Sequence, residues 1–197
     1  MDPATFAAYA TVGPNGVRPP SPYDPVDAVY SASTMLCADG AGSEPTLRSA
    51  IEDYNHSDTY VDAVLTLSLA IAENPSVSGT VVAAISFAAQ HLGTPYVWGG
   101  TGPGGFDCSG LTQAAYRSAG IALPRVAQSQ FDAGPVVGGD STVQPGDLLF
   151  FASGRSGVDH VGLYVGSGAM IDAPHTGATV RFEDAHWPGL VGVTRPG

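Results

Sequence analysis

The chain has 197 residues with 7 basic and 18 acidic side chains, a net charge of −11. That balance excludes a protein that tracks nucleic-acid phosphates, which needs clustered Lys and Arg. Hydrophobic residues make up 44%, charged residues only 13%, with 26 glycines and 16 prolines; this describes an ordered, turn-rich chain able to bury roughly 70% of its unfolded surface in one large or two small domains.

The two cysteines, Cys37 and Cys108, permit one disulfide at most and no framework of the kind small secreted domains rely on. The N-terminal stretch MDPATFAAYA has neither a basic n-region nor an apolar h-region, so no secretory signal is read there. No Asp, Glu, Lys or Arg occurs between Asn74 and Phe106. Gly79, Gly93, Pro95, Gly99 and Gly100 nevertheless interrupt that stretch before the roughly 18 apolar residues a membrane span requires.

In chain order, GPNGVRPPSPYDP is too rich in Pro and Gly for a regular element and reads as a loop. Asp24, Pro25 and Val26 then open a helix with apolar positions at Val26, Val29, Tyr30 and Leu36, ending near Gly40. A second helix is expected over Pro45–Tyr54 and a third over Thr59–Glu73, whose apolar residues Val61, Val64, Leu65, Leu67, Leu69 and Ile71 spread widely enough to predict burial. NPSVSG at 74–79 is the expected linker. Helices are then expected over Val81–Leu92, stopped by Gly93, and over Cys108–Ala119 after the loop GGTGPGGFD. The period then changes to short β-branched and aromatic runs at Leu148–Ala152, His160–Gly166, Ala169–Ala173, Ala178–Phe182 and Leu190–Thr194. Helices followed by closely spaced strands predict an α+β domain over 80–197 with helices packed on an antiparallel sheet of five to six strands, preceded by an all-α segment over 1–73.

Cys108 falls at the expected first turn of a helix, where unpaired backbone N–H groups and the helix dipole favour a negative charge and a thiolate nucleophile. The competing role is a small buried hydrophobe. His160 opens an alternating strand and is the candidate general base, 52 residues downstream. Asp172 lies on the next strand, where an antiparallel hairpin brings it beside His160 to orient the imidazole; the competing role is a solvated carboxylate near a turn. Cys108, His160, Asp172 and His175 include ligand types that suit zinc, but no CxxC or HExxH spacing is present, and neither a metal nor any other cofactor is expected. The loop GGTGPGGFD is followed by no Lys and is not read as a phosphate cradle.

From Ala88 onward the chain resembles the NlpC-type cell-wall endopeptidases, cysteine peptidases with a papain-like core. The matches run in order: LGTPYVWGG at Leu92–Gly100, FDCSGL at Phe106–Leu111, LPR at Leu123–Arg125, QPGDLLFF at Gln144–Phe151 and HVGLYVG at His160–Gly166. The resemblance implies Cys108 as nucleophile and His160 as base. The family's third polar residue is commonly a histidine, and Asp172 stands at that position here, with His175 the rival for the orienting role. Tyr96 matches a tyrosine near the nucleophile that assists oxyanion or substrate binding. Asp107 and Ser109 match the pair that takes the substrate's free amino end; helix capping is their competing role. The implied substrate is a peptidoglycan stem peptide cut between γ-linked D-glutamate and a diamino acid, commonly meso-diaminopimelate, by a monomeric enzyme outside the cell or in the wall.

Residues 1–73 resemble the C-terminal portion of a lysozyme-like lytic transglycosylase domain through Asp2–Tyr9, Tyr23–Cys37 and Leu47–Leu65, with Tyr54 and Asn55 matching a pair that lines the glycan cleft. The catalytic glutamate of such domains lies upstream of the first matching stretch, so no transglycosylase activity is expected. Cys37 is expected to pack between helices, and the apolar face of Val64, Leu67 and Ile71 to dock on the second domain. The leading function is therefore a D,L-endopeptidase. A non-catalytic peptidoglycan-binding module with a blocked or inactive site is the alternative, encouraged by the incomplete first domain.

Overall fold

The computed structural model describes residues 78–138, 142–154 and 157–197, with residues 8, 10, 34–38, 44–54, 61, 65 and 68 of the N-terminal part. The chain divides into two compact units, Met1–Val61 and Asp62–Gly197. In the first, residues 34–38 are helical and α1 spans Glu44–Tyr54. Met35, Ala50, Ile51 and Val61 are buried there. Cys37 is exposed, which corrects the expectation that it packs between helices; two residues beyond Met35, it lies on the opposite side of the helix. Val64, Leu67 and Ile71, the stretch at Asp2–Tyr9 apart from Ala8, Asn55, and most of the expected linker lie outside the described residues.

The second unit is built from α2 (Gly79–Gln90), α3 (Cys108–Ser118), α4 (Ala127–Ala133) and five strands: β1 (Leu148–Phe151), β2 (His160–Gly166), β3 (Ala169–Asp172), β4 (Arg181–Asp184) and β5 (Leu190–Thr194). The strands form one antiparallel sheet in the order β4-β3-β2-β1-β5. Ser78 caps α2, its hydroxyl accepting from Val81 N at 3.3 Å. The β2–β3 hairpin closes through Ser167 and Gly168, both with positive φ, as a two-residue turn that follows the sheet's twist requires.

Alternation along the strands sets two faces. Val161, Leu163, Val165, Leu148, Phe150 and Ile171 pack with Ile85, Ala88, Leu111 and Ala115 of α2 and α3. Leu149, Phe151, Met170 and Val193 form a smaller cluster on the other face. Leu111 is fully buried, and truncating such a residue to Ala costs about 2–5 kcal/mol. The central strand β2 is thus covered on both sides, with His160 at its start.

Two elements depart from the sequence-based expectation. Residues 178–180 pair with 94–96 instead of starting β4: Tyr96 N donates to Ala178 O at 2.9 Å and Val180 N to Thr94 O at 2.8 Å. β4 consequently begins at Arg181. The short α4 was not expected, because AQSQFDA carries no apolar period and its N-cap Val126 makes no side-chain cap bond.

Candidate active site

Cys108 is the first residue of α3, placed there by the cap on one side and a tight loop on the other. Asp107 is the N-cap, its Oδ1 accepting from Gly110 N at 2.7 Å. A Cβ on Gly110 would sit 1.9 Å from Gly100 O, so only glycine lets the loop 99–105 press against the first turn of the helix. Asp107 N donates to Gly100 O at 3.1 Å, and Gly99 N to Asp107 Oδ2 at 3.0 Å.

Arg125 grips the same carboxylate with both ends of its fork, Nη1 to Oδ1 at 3.0 Å and Nη2 to Oδ2 at 2.7 Å. Its Nη1 also donates to Ser109 Oγ at 3.1 Å. A planar bidentate pair fixes geometry as well as charge. Behind it, the buried Gln130 of α4 donates from Nε2 to Ser109 O and Pro124 O, both at 2.9 Å, and accepts from Thr112 Oγ1 at 2.8 Å. The start of α3 is therefore locked from three sides.

His160 approaches from the sheet. Its Nε2 meets Asp172 Oδ2 at 2.7 Å, Asp172 being fully buried and His160 8% exposed. Cys108 lines the same cleft as His160, close enough for its thiol to act on the ring. Burial opposes charge on the imidazole, but the bond to Asp172 and the influence of the nearby Cys108 thiol outweigh it and raise the pKa to about 9. Burial pushes the Asp172 carboxyl up, His160 partly offsets this, and the nearby Glu183 adds to it. Among the described residues Asp172 Oδ1 finds no hydrogen-bond partner. Asp172 faces His160 because the register sets Ile171 opposite Leu163 and thus Asp172 beside the start of β2, on the same face as His160.

Tyr96 shares the cleft with Cys108, and burial first, then the neighbouring thiol and Asp107, raise its pKa, with Arg125 opposing. His175 is exposed, its Nδ1 against Thr176 O at 3.0 Å, and does not join His160. The cleft holds about 510 Å³ and is bounded by Tyr96, Trp98, Asp107, Cys108, Ser109, Arg125 and His160 among others. Among the described residues no group of three His, Cys, Asp or Glu side chains is spaced to hold a metal ion, and no helix is long and apolar enough to cross a membrane. The arrangement can deprotonate a thiol, hold the resulting imidazolium and return its proton to a leaving group.

Sequence reasoning placed Arg125 in a motif without a role, and it missed Gln130. Arg125 had one signal: it is among only 7 basic residues, while an acidic residue directly before the expected nucleophile needs a counter-charge if buried. Gln130 had none, since two of its three partners lie on α3 and the third is Pro124, with no repeating pattern that links them.

The chain is 45% identical over 115 residues to a protein named probable endopeptidase p60 from Listeria monocytogenes, covering 56% of this chain and 23% of that one. It spans between 21% and 24% of the length of such Listeria relatives. A crystal structure of an NlpC/P60 family protein from Bacillus cereus is similar with a TM-score of 0.55 and 37% identity, covering 58% of this chain and 39% of that one. The NlpC/P60 domain of the peptidoglycan hydrolase SagA is similar with a TM-score of 0.52 and 36% identity, covering 58% of this chain and 97% of that one. The family described as NlpC/P60 matches residues 93–190, a span that takes in the cleft and strands β1 to β4, and the chain belongs to that family.

Proposed function

We propose that the chain is a peptidoglycan endopeptidase of the cysteine type that hydrolyses the amide between γ-linked D-glutamate and the diamino acid, meso-diaminopimelate, of a stem peptide. The observation that carries this reading is the His160–Asp172 pair, 2.7 Å apart, with His160 lining the same cleft as Cys108 at the start of α3. The endopeptidase and peptidoglycan hydrolase names of similar proteins support it.

His160 takes the thiol proton, and Cys108 Sγ attacks the carbonyl carbon of the γ-glutamyl amide. The oxyanion is received by the Cys108 N–H at the helix start and by the Tyr96 hydroxyl. The C–N bond breaks as the imidazolium gives its proton to the departing amine, leaving a thioester. Water, deprotonated by His160, attacks the thioester and releases the carboxylate and the thiol. Asp172 holds the ring and its charge throughout. Ser109 and Asp107 bound the side of the cleft assigned to the substrate's free amino end. A wall substrate supports a working place outside the cell or in the wall.

Mass spectrometry of muropeptides digested by wild type and by Cys108→Ala tests mechanism and bond together. Wild type should release products ending in D-glutamate, and the variant none. Turnover retained in the variant would overturn the mechanism. A wild type that binds muropeptides without cleaving them would replace it with the non-catalytic wall-binding module.

A further inference from the structure

The imidazole of His160 is enclosed by more than its two polar partners. Trp187, in the turn between β4 and β5, sets its ring centroid 5.4 Å from that of His160 at 55°. Phe151 lies 6.0 Å from the same ring at 40°, and Phe151 and Trp187 meet edge to face at 5.9 Å and 87°. The three rings form a closed contact on the sheet face that carries the His160–Asp172 pair. Trp187 is 37% exposed while His160 is 8% exposed, so the indole stands between the imidazole and water.

The turn that presents Trp187 is built to hold it. At one end Ala185 N donates to Gly168 O at 2.7 Å. At the other, Ala152 N donates to Gly189 O at 2.9 Å, next to Phe151. Gly189 has φ +91°, and a Cβ there would sit 2.6 Å from Ala152 O, so glycine is required for the turn to reach this strand end. Pro188 restricts the backbone between them.

Resting on the peptidase reading above, we propose that Trp187 is a positioning residue for the reaction: its indole seals the solvent side of the His160 ring and keeps that ring aligned between Cys108 and Asp172. A hydrogen bond kept from water is stronger and better directed than one in contact with it. An aromatic face also attracts a cation, so the indole favours the imidazolium that forms during turnover. The charged groups facing the ring are Cys108 from α3, Asp172 from β3 and the adjacent Asp159. Asp184 and His186, on the Trp187 turn, pair with each other at 2.9 Å.

The test uses Trp187→Ala and Trp187→Phe of the whole chain. Trp187→Ala should lower kcat about tenfold with KM within about twofold, Trp187→Phe should recover most of the loss, and alkylation of Cys108 by iodoacetamide should slow in parallel. In Trp98→Phe, which leaves Trp187 as the one tryptophan, emission should rise as His160 loses its proton through about pH 9, and His160→Gln should remove that transition. Unchanged kcat and alkylation in Trp187→Ala, or Trp187 emission indifferent to His160→Gln, overturns the proposal. Should wild type fail to cleave muropeptides while alkylation and emission behave as expected, the peptidase reading fails and the positioning role stands.

Discussion

Two aspartates, Asp107 beside Cys108 and Asp172 beside His160, are treated in opposite ways. Asp107 is saturated: its two oxygens accept from Gly110 N, Gly99 N, Ser109 Oγ and both ends of Arg125. Among the described residues Asp172 bonds His160, and its second oxygen is buried with no hydrogen-bond partner. A saturated carboxylate is spent on geometry, here the cap of α3 and the loop beside it. An undersatisfied one is costly to bury and persists where its charge acts on a neighbour. In the proposed mechanism the contrast gives Asp107 an architectural part and Asp172 a chemical one.

Exchanging each for its amide sharpens that division. Asp172→Asn should lower kcat by about a thousandfold, as loss of an orienting carboxylate does, with a smaller change in melting temperature, because the cost of burying the carboxylate and the stability it lends the imidazolium are lost together. Asp107→Asn should do the reverse in emphasis. It weakens the grip on Arg125 and costs about 2 kcal/mol of stability, read from chemical denaturation. A stability loss in Asp172→Asn as large as in Asp107→Asn would break the comparison.

Smaller effects refine it. The raised pKa of His160 means that the folded state favours the imidazolium. This stability is whole below the ordinary value of 6.5 and is lost as pH rises through about 9, which urea melts across that range should follow. The same group sets the alkaline limb of kcat/KM, since above it no imidazolium remains to protonate the departing amine. Arg125→Lys keeps the charge but gives up the fork, and should cost about 1 kcal/mol with activity reduced only a few-fold.

Much of this was legible in the sequence, and the legible part has a common physical form. The pairing of His160 with Asp172 and the cleft that His160 shares with Cys108 were legible because each residue sits at a fixed place in a periodic element: a helix start, a strand start and the next strand of a tight hairpin. The bounds of β2 and β5 were read directly from their apolar runs. Where the outcome depended on distant segments competing for the same backbone, the reading slipped. Residues 178–180 have strand composition, but the segment 94–96 takes their hydrogen bonds, and β4 starts three residues later than expected. The clamp of Arg125 and Gln130 on Ser109 and Asp107 joins pieces 16 to 21 residues apart with no repeating pattern between them. Cys37 failed for a simpler reason, since apolar character alone does not say which side of a short helix a residue occupies.

The central claim is that thiol, imidazole and carboxylate act as one unit, and an NMR titration of the His160 ring in wild type and Cys108→Ala tests it most directly. The account predicts a midpoint of about 9 in wild type that falls toward 6.5 once the thiol is removed, because one of the partners that stabilise the imidazolium is gone. A midpoint near 6.5 in both proteins would contradict it.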